Sequence, residues 1–191
     1  TADVGIIKLH YRGPAGVRIE ETEKSVLAVE KKIREIIPAT ELRTINDMIG
    51  LPLYYNLAFV PTDNVAGNDA EILIQLNEGH RPSADYMRRM RAELPRAFPD
   101  SIFYFQTADI VSQVLNFGLS APIDLQIQGA DIRQSYALGQ TILSQISKIP
   151  GVADPHILQV MSYPDLQVAV DRQRAAEVGV TQRQAADNLL T

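Results

Sequence analysis

The sequence predicts an α+β protein: a βαββαβ unit with two helices on one face of a four-stranded sheet, followed by an incomplete second βαβ unit. Three observations predict it. Strand-length segments with period-two alternation interleave with longer segments of helical period, in that order. Prolines close the helices and return the chain to a strand each time. A strand-helix-strand pattern then restarts after a connector at Asp109 to Ser120.

The first strand reads at Val4 to Tyr11 (VGIIKLHY) and is broken by Gly13-Pro14-Ala15-Gly16. A helix follows from Ile19 to Ile37, with Val26, Val29, Ile33, Ile36 and Ile37 on one face. Glu20 and Glu21 lie in its first turn and Lys31, Lys32 and Arg34 towards its end, the order a helix dipole favours. Pro38 stops it, and a second strand runs from Glu41 to Ile49. Gly50 to Asn68 is an irregular loop containing Pro52, Pro61 and Gly67 and three aromatic residues, Tyr54, Tyr55 and Phe59. A loop of this length in a compact domain is commonly functional, and its lack of apolar period predicts a weakly anchored segment. The third strand is Ala70 to Leu76 (AEILIQL). Ser83 is the expected N-cap of a second helix that aligns Met87, Met90, Leu94 and Phe98. The fourth strand is Ser101 to Thr107. This order is the split βαβ, ferredoxin-like signature, in which the second sheet face is either covered or open to ligand.

The second unit begins with a strand at Pro122 to Gly129. Its helix has capping-box spacing at Asp131 and Gln134 and carries Ile132, Tyr136, Ile142, Ile146 and Ile149 on one face. Strands are expected at Val152 to Val160 and Asp165 to Val170, then a short helix capped by Asp171 and ending at Gly179. Thr181 and Gln184 open one more helix. Only one βαβ unit is present where a full repeat needs four strands.

The 191 residues carry a net charge of −5, against a nucleic-acid groove, which needs a concentrated positive field. Arg88, Arg89, Arg91 and Arg96 cluster with Glu93 between them, as a solvated helix face does. There is no cysteine, hence no disulfide and no thiolate chemistry. His10, His80 and His156 lack metal-ligand spacing, and no nucleophile elbow, phosphate loop or zinc motif occurs. No catalytic residue, metal site or cofactor is expected, so the chain reads as a binding protein and not an enzyme. No apolar run approaches the roughly 18 to 20 residues of a spanning helix, so this segment is not expected to insert in a membrane. It opens without methionine and stops within an apolar helical pattern, so both ends are expected to be cuts in a longer protein.

An ordered set of stretches resembles the second large periplasmic loop of resistance-nodulation-division (RND) efflux pumps of the AcrB/AcrD/AcrF type. They are GPAGVRIEETE (13–23), NDMIGLP (46–52), EILIQLNEGHRPSADY (71–86), FPDSIFYFQTADIVSQVLNFG (98–118), IPGVADPHILQ (149–159) and YPDLQVAVDRQRAAEVGVTQRQAADNLL (163–190). The resemblance implies a first porter subdomain at 1–112, half of a second at 113–162 and the start of a docking subdomain at 163–191. It further implies a proton-driven homotrimer in the bacterial inner membrane, with this segment in the periplasm, working with a periplasmic adaptor protein and an outer-membrane channel. Substrate-binding positions then fall on Phe103, Phe105, Thr107 and His156, and a switch loop on Tyr54, Tyr55 and Phe59. Strand parity puts Phe103 and Phe105 on one side, expected to face the cleft between the porter subdomains together with His156. His156 stands where drug-pump relatives often carry arginine, and the loop lacks their glycine-rich pattern. Met48, Met87, Met90 and Met161 form no cluster of the kind soft metals use, which favours small hydrophobic substrates.

Two rival functions share parts of this pattern. A ferredoxin-like RNA-binding module would use aromatic residues on a central strand, but the acidic charge opposes it. The alternative reading is a ligand-sensing regulatory domain with tandem ferredoxin-like repeats, which would need a complete second repeat.

Overall fold

A computed structural model of the protein describes residues 3–52, 62–108, 121–161, 163–164 and 167–189. The chain forms β1 (Ile6–Arg12), α1 (Ile19–Ile36), β2 (Leu42–Ile49), β3 (Asp69–Leu76), α2 (Ser83–Ala97) and β4 (Ile102–Gln106). Then come α3 (Ile132–Ile146), α4 (Arg172–Glu177) and α5 (Gln182–Leu189). The four strands make one sheet in the order β2-β3-β1-β4, and every neighbouring pair is antiparallel. It is a mixed α and β fold, in the expected element order as far as β4.

Register explains how the core is sorted. Leu9 stands opposite Ile72 on β3 and Phe105 on β4, while His10 stands opposite Glu71 and Tyr104. Side chains alternate between faces along a strand, so Ile7, Leu9, Tyr11, Ile72 and Ile74 share one side. There they meet Val26, Val29 and Ile33 of α1 and Tyr86, Met90 and Leu94 of α2 in a single buried cluster. Each such side chain contributes about 1.5–3 kcal/mol relative to exposure. Both helices therefore cover the same sheet face.

The start of α2 differs from expectation. Ser83 is its first helical residue, and the unpaired donors there are met from a distance by Asp3. The Asp3 carboxylate accepts from the Ser83 N–H at 2.7 Å and from the Ser83 hydroxyl at 2.7 Å. Burial pushes the Asp3 carboxyl up, but these bonds and one from Gly5 outweigh it, so its pKa lies below the ordinary value. Gly5, beside it, takes φ +67°, and a Cβ there would lie 2.6 Å from His80 Nε2.

The second unit keeps its helices but not its strands. Asp131 caps α3 by accepting from the Arg133 and Gln134 N–H groups, and Asp171 caps α4 in the same way. Thr181 and Gln184 make a reciprocal box before α5. The described residues of Pro122 to Gly129, Val152 to Val160 and Asp165 to Val170 form no strand of the described sheet. The first unit supplies the reason: β1 and β2 do not pair with one another, because β3 lies between them. The second unit has no counterpart of β3 among the described residues, so the expected strands lack a ladder partner there.

Residues 62–68 of the irregular segment are better anchored than their composition predicts. Asn64 Nδ2 donates to the carbonyls of Met48 and Gly50, and Asn68 Nδ2 donates to the carbonyl of Gly13. Both asparagines are buried. Side chains thus do the anchoring that a search for apolar period overlooks. Tyr54, Tyr55 and Phe59 lie outside the described residues.

Candidate functional site

The sheet face turned away from α1 and α2 carries a polar layer instead of an apolar one. Lys8, His10 and Arg12 project from β1, Asp69 and Glu71 from β3, and Tyr104 and Gln106 from β4. All except Lys8 are buried. Such groups are stable out of water only when paired and hydrogen-bonded. Arg12 Nε donates to Asp69 Oδ1 at 2.6 Å, and His10 Nε2 lies 3.3 Å from the same oxygen. Asp69 Oδ2 accepts from the backbone N–H of Val65 at 2.8 Å and of Ala66 at 3.3 Å. Lys8 pairs with Glu71 at 3.1 Å. Asp63 accepts from Gln106 Nε2 at 2.6 Å and, at 3.5 Å, from the Tyr104 hydroxyl.

This layer fixes two ionisation states. Burial by itself would raise the Asp69 carboxyl, but the bonds from His10, Arg12 and Val65 hold its pKa down at about 2. Burial, and then the Asp63 charge, push the Tyr104 hydroxyl well above its ordinary range. Asp69 is an anion and Tyr104 a neutral donor at any physiological pH.

A segment of the second unit closes over the polar face and round the free edge of β4. The His156 ring stacks on Tyr104 with centroids 3.6 Å apart, and Tyr104 stacks on His10 at 4.4 Å. Arg12 reaches past them to the Leu158 carbonyl at 3.2 Å. On the other side of β4, Arg91 of α2 binds the Asp154 carboxylate through both Nε and Nη2, at 2.9 and 2.7 Å. The Phe105 N–H donates to the same carboxylate at 3.2 Å. Beside this junction Val65, Ile132, Gln159, Val160, Met161 and Tyr163 line a shallow, mainly apolar depression between the units.

The expected site residues are divided by this geometry. Phe103 and Phe105 do share a face, but it is the helix-covered one. Phe103 packs edge-on to Tyr11 and tilted against Phe98, and Phe105 lies under the Arg91 guanidinium at 4.7 Å. Their expected orientation towards the cleft is therefore corrected: an antiparallel register with Tyr11 and Leu9 commits them to the core side. His156 sits across the sheet from them, on Tyr104. Thr107, just beyond β4, is half-buried. Asp63, Asp69, Arg12, Gln106 and Asp154 carry many of the polar contacts and went unread in the sequence, and Arg91, expected on a solvated helix face, is instead paired with Asp154. The available signal was the alternation of basic residues at Lys8, His10 and Arg12 and of acidic ones at Asp69 and Glu71. That pattern usually marks a solvated face, and only the tertiary cover makes it an interior.

No helix among the described residues is long and apolar enough to cross a membrane. No group of three or more potential ligands drawn from His, Cys, Asp and Glu comes together among them as a metal site. No curated protein matches the chain. Among solved structures it is similar to two crystal forms of a heavy metal efflux pump. One has a TM-score of 0.73 at 20% identity over 96% of this chain, the other 0.74 at 18% over 98%. The chain spans only 19% of the length of either pump chain. Its sequence matches the model of the AcrB/AcrD/AcrF family over residues 1–191. With fold and sequence in agreement along the whole chain, the protein belongs to the AcrB/AcrD/AcrF family of resistance-nodulation-division efflux transporters.

Proposed function

We propose that this chain is a periplasmic porter segment of a proton-driven RND pump and forms part of the cleft through which substrates enter. In this reading residues 1–112 are the first porter subdomain, 113–162 half of the second, and 163–191 the beginning of a docking subdomain. The strand order β2-β3-β1-β4 with both helices on one face supports a ferredoxin-like arrangement for the first of these. The whole pump would be an inner-membrane homotrimer working with a periplasmic adaptor protein and an outer-membrane channel.

The observation that carries the reading is the junction between the units: a polar layer, an aromatic stack ending at His156, and an apolar depression beside them. A mainly apolar concavity with a few placed polar groups suits small hydrophobic molecules. The methionines support that class, because Met87 and Met90 pack with the core while Met48 and Met161 stand on β2 and in the second unit. Phe103, Phe105 and Thr107 then shape the cleft from behind β4, and His156 with Tyr104 lies nearer the substrate. Tyr54, Tyr55 and Phe59 are proposed to gate it. The regulatory-domain alternative lacks support, since it needs a second repeat that is complete.

The test uses the full-length pump in a host without its own exporters. Met161→Ala and Tyr163→Ala should weaken tolerance to hydrophobic dyes and leave tolerance to copper and silver salts unchanged. Loss of metal tolerance alone would reverse the substrate assignment, and no change in either would remove the depression from the transport path.

A further inference from the structure

We propose that Asp154 is the positioning residue of this junction, and that its ion pair with Arg91 is the contact that yields when the two units move apart. The inference rests on the porter reading only for what that movement is used for. Asp154 is the one non-glycine residue with positive φ among those described, at +53°. A backbone of that kind is held by its surroundings. Here the surroundings are visible on three sides. The carboxylate takes a two-pronged bond from Arg91 and a third from the Phe105 N–H, while the Asp154 carbonyl lies 2.9 Å from His156 Nδ1. One residue thus caps the open edge of β4, engages α2 and orients the ring that stacks on Tyr104.

The relative strength of the contacts decides which would give way. Arg12 and Asp69 are buried together within the first unit, at 7% and 0% side-chain exposure, and breaking them strands a charge out of water. Arg91 and Asp154 are exposed to 34% and 14%, so water can replace each partner as they separate. The Arg12 bond to the Leu158 carbonyl and the His156 stack have no ionic component of comparable directness across the junction. The junction therefore rests on Arg91 and Asp154, the ionic contact across it that water can reach.

The chain has no cysteine, so a pair introduced by Glu23→Cys on α1 and Gln140→Cys on α3 can be spin-labelled uniquely. Pulsed dipolar measurement on the parent pair should give a single narrow distance. Arg91→Gln and, separately, Asp154→Gly should each abolish that narrow distance in favour of a broad distribution. Glycine accepts positive φ without strain, so Asp154→Gly removes the carboxylate alone. Hydrogen exchange at β1 and β3 should stay as in the parent, which separates junction opening from unfolding. A narrow distance retained by either variant overturns the proposal. Should both variants broaden while the full-length pump carrying them exports hydrophobic dyes with unaltered KM and kcat, the junction is real but is not the cleft, and the porter reading of it fails instead.

Discussion

Asp69 concentrates the electrostatics of the polar layer, and its replacement gives a direct measure of them. Its carboxyl is lowered from the ordinary 3.8 to about 2. The folded state thus binds that proton less readily than the unfolded state. The associated stability is complete above pH 4 to 5 and is lost as pH falls through about 2, amounting to roughly 2 kcal/mol. Acid titration of the parent should show this loss, and Asp69→Asn should remove Asp69's share of the low-pH dependence. At neutral pH the same variant should cost about 3–5 kcal/mol in urea unfolding, because it leaves Arg12 buried without its anion. At Gly5, where φ is +67° and His80 crowds the missing Cβ, alanine should destabilise by about 1–2 kcal/mol in the same assay.

At the scale of elements, β4 is where expectation and structure part. Its alternation is plain in IFYFQ, so the pairing of Phe103 with Phe105 could be read directly. Which pair faces the helices could not, because both faces of β4 offer aromatic residues and both faces of the sheet are covered. Phe103→Ala should now cost about 2–3 kcal/mol in chemical denaturation, a part-buried version of the usual core truncation. The helix ends behave more locally. Asp131, Asp171 and the Thr181–Gln184 box act where the residue types predict, because a cap needs only neighbours along the chain. The N-terminus of α2 is the exception, since its acceptor, Asp3, lies 80 residues away in sequence.

The whole molecule divides unequally. Among the described residues the one core cluster draws on residues from Ile7 to Phe105, whereas α3 and α4 contain no buried residue. Stability should therefore be uneven, with opening free energies near the global value only in the first unit. Native-state hydrogen exchange should find the slowest amides in β1 and β3, and those of α3 faster by about a thousandfold or more. Equal protection in α3 would mean that the second unit buries a core of its own.

The element order as far as β4, the helix faces, the local caps and the family of this protein are determined by the sequence itself. Each depends on periodicity or on residues close together in the chain, as Val26 to Ile36 on α1 and Asp131 before α3 illustrate. Tertiary structure alone decided the rest: that Lys8, His10 and Arg12 face an interior, that Phe103 and Phe105 point to the helices, and that Asp154 meets Arg91. Alternation along a strand distinguishes two faces but does not say what covers either one. Cover comes from segments distant in sequence, here 146 residues from Arg12 to Leu158, and its energy depends on which groups it removes from water.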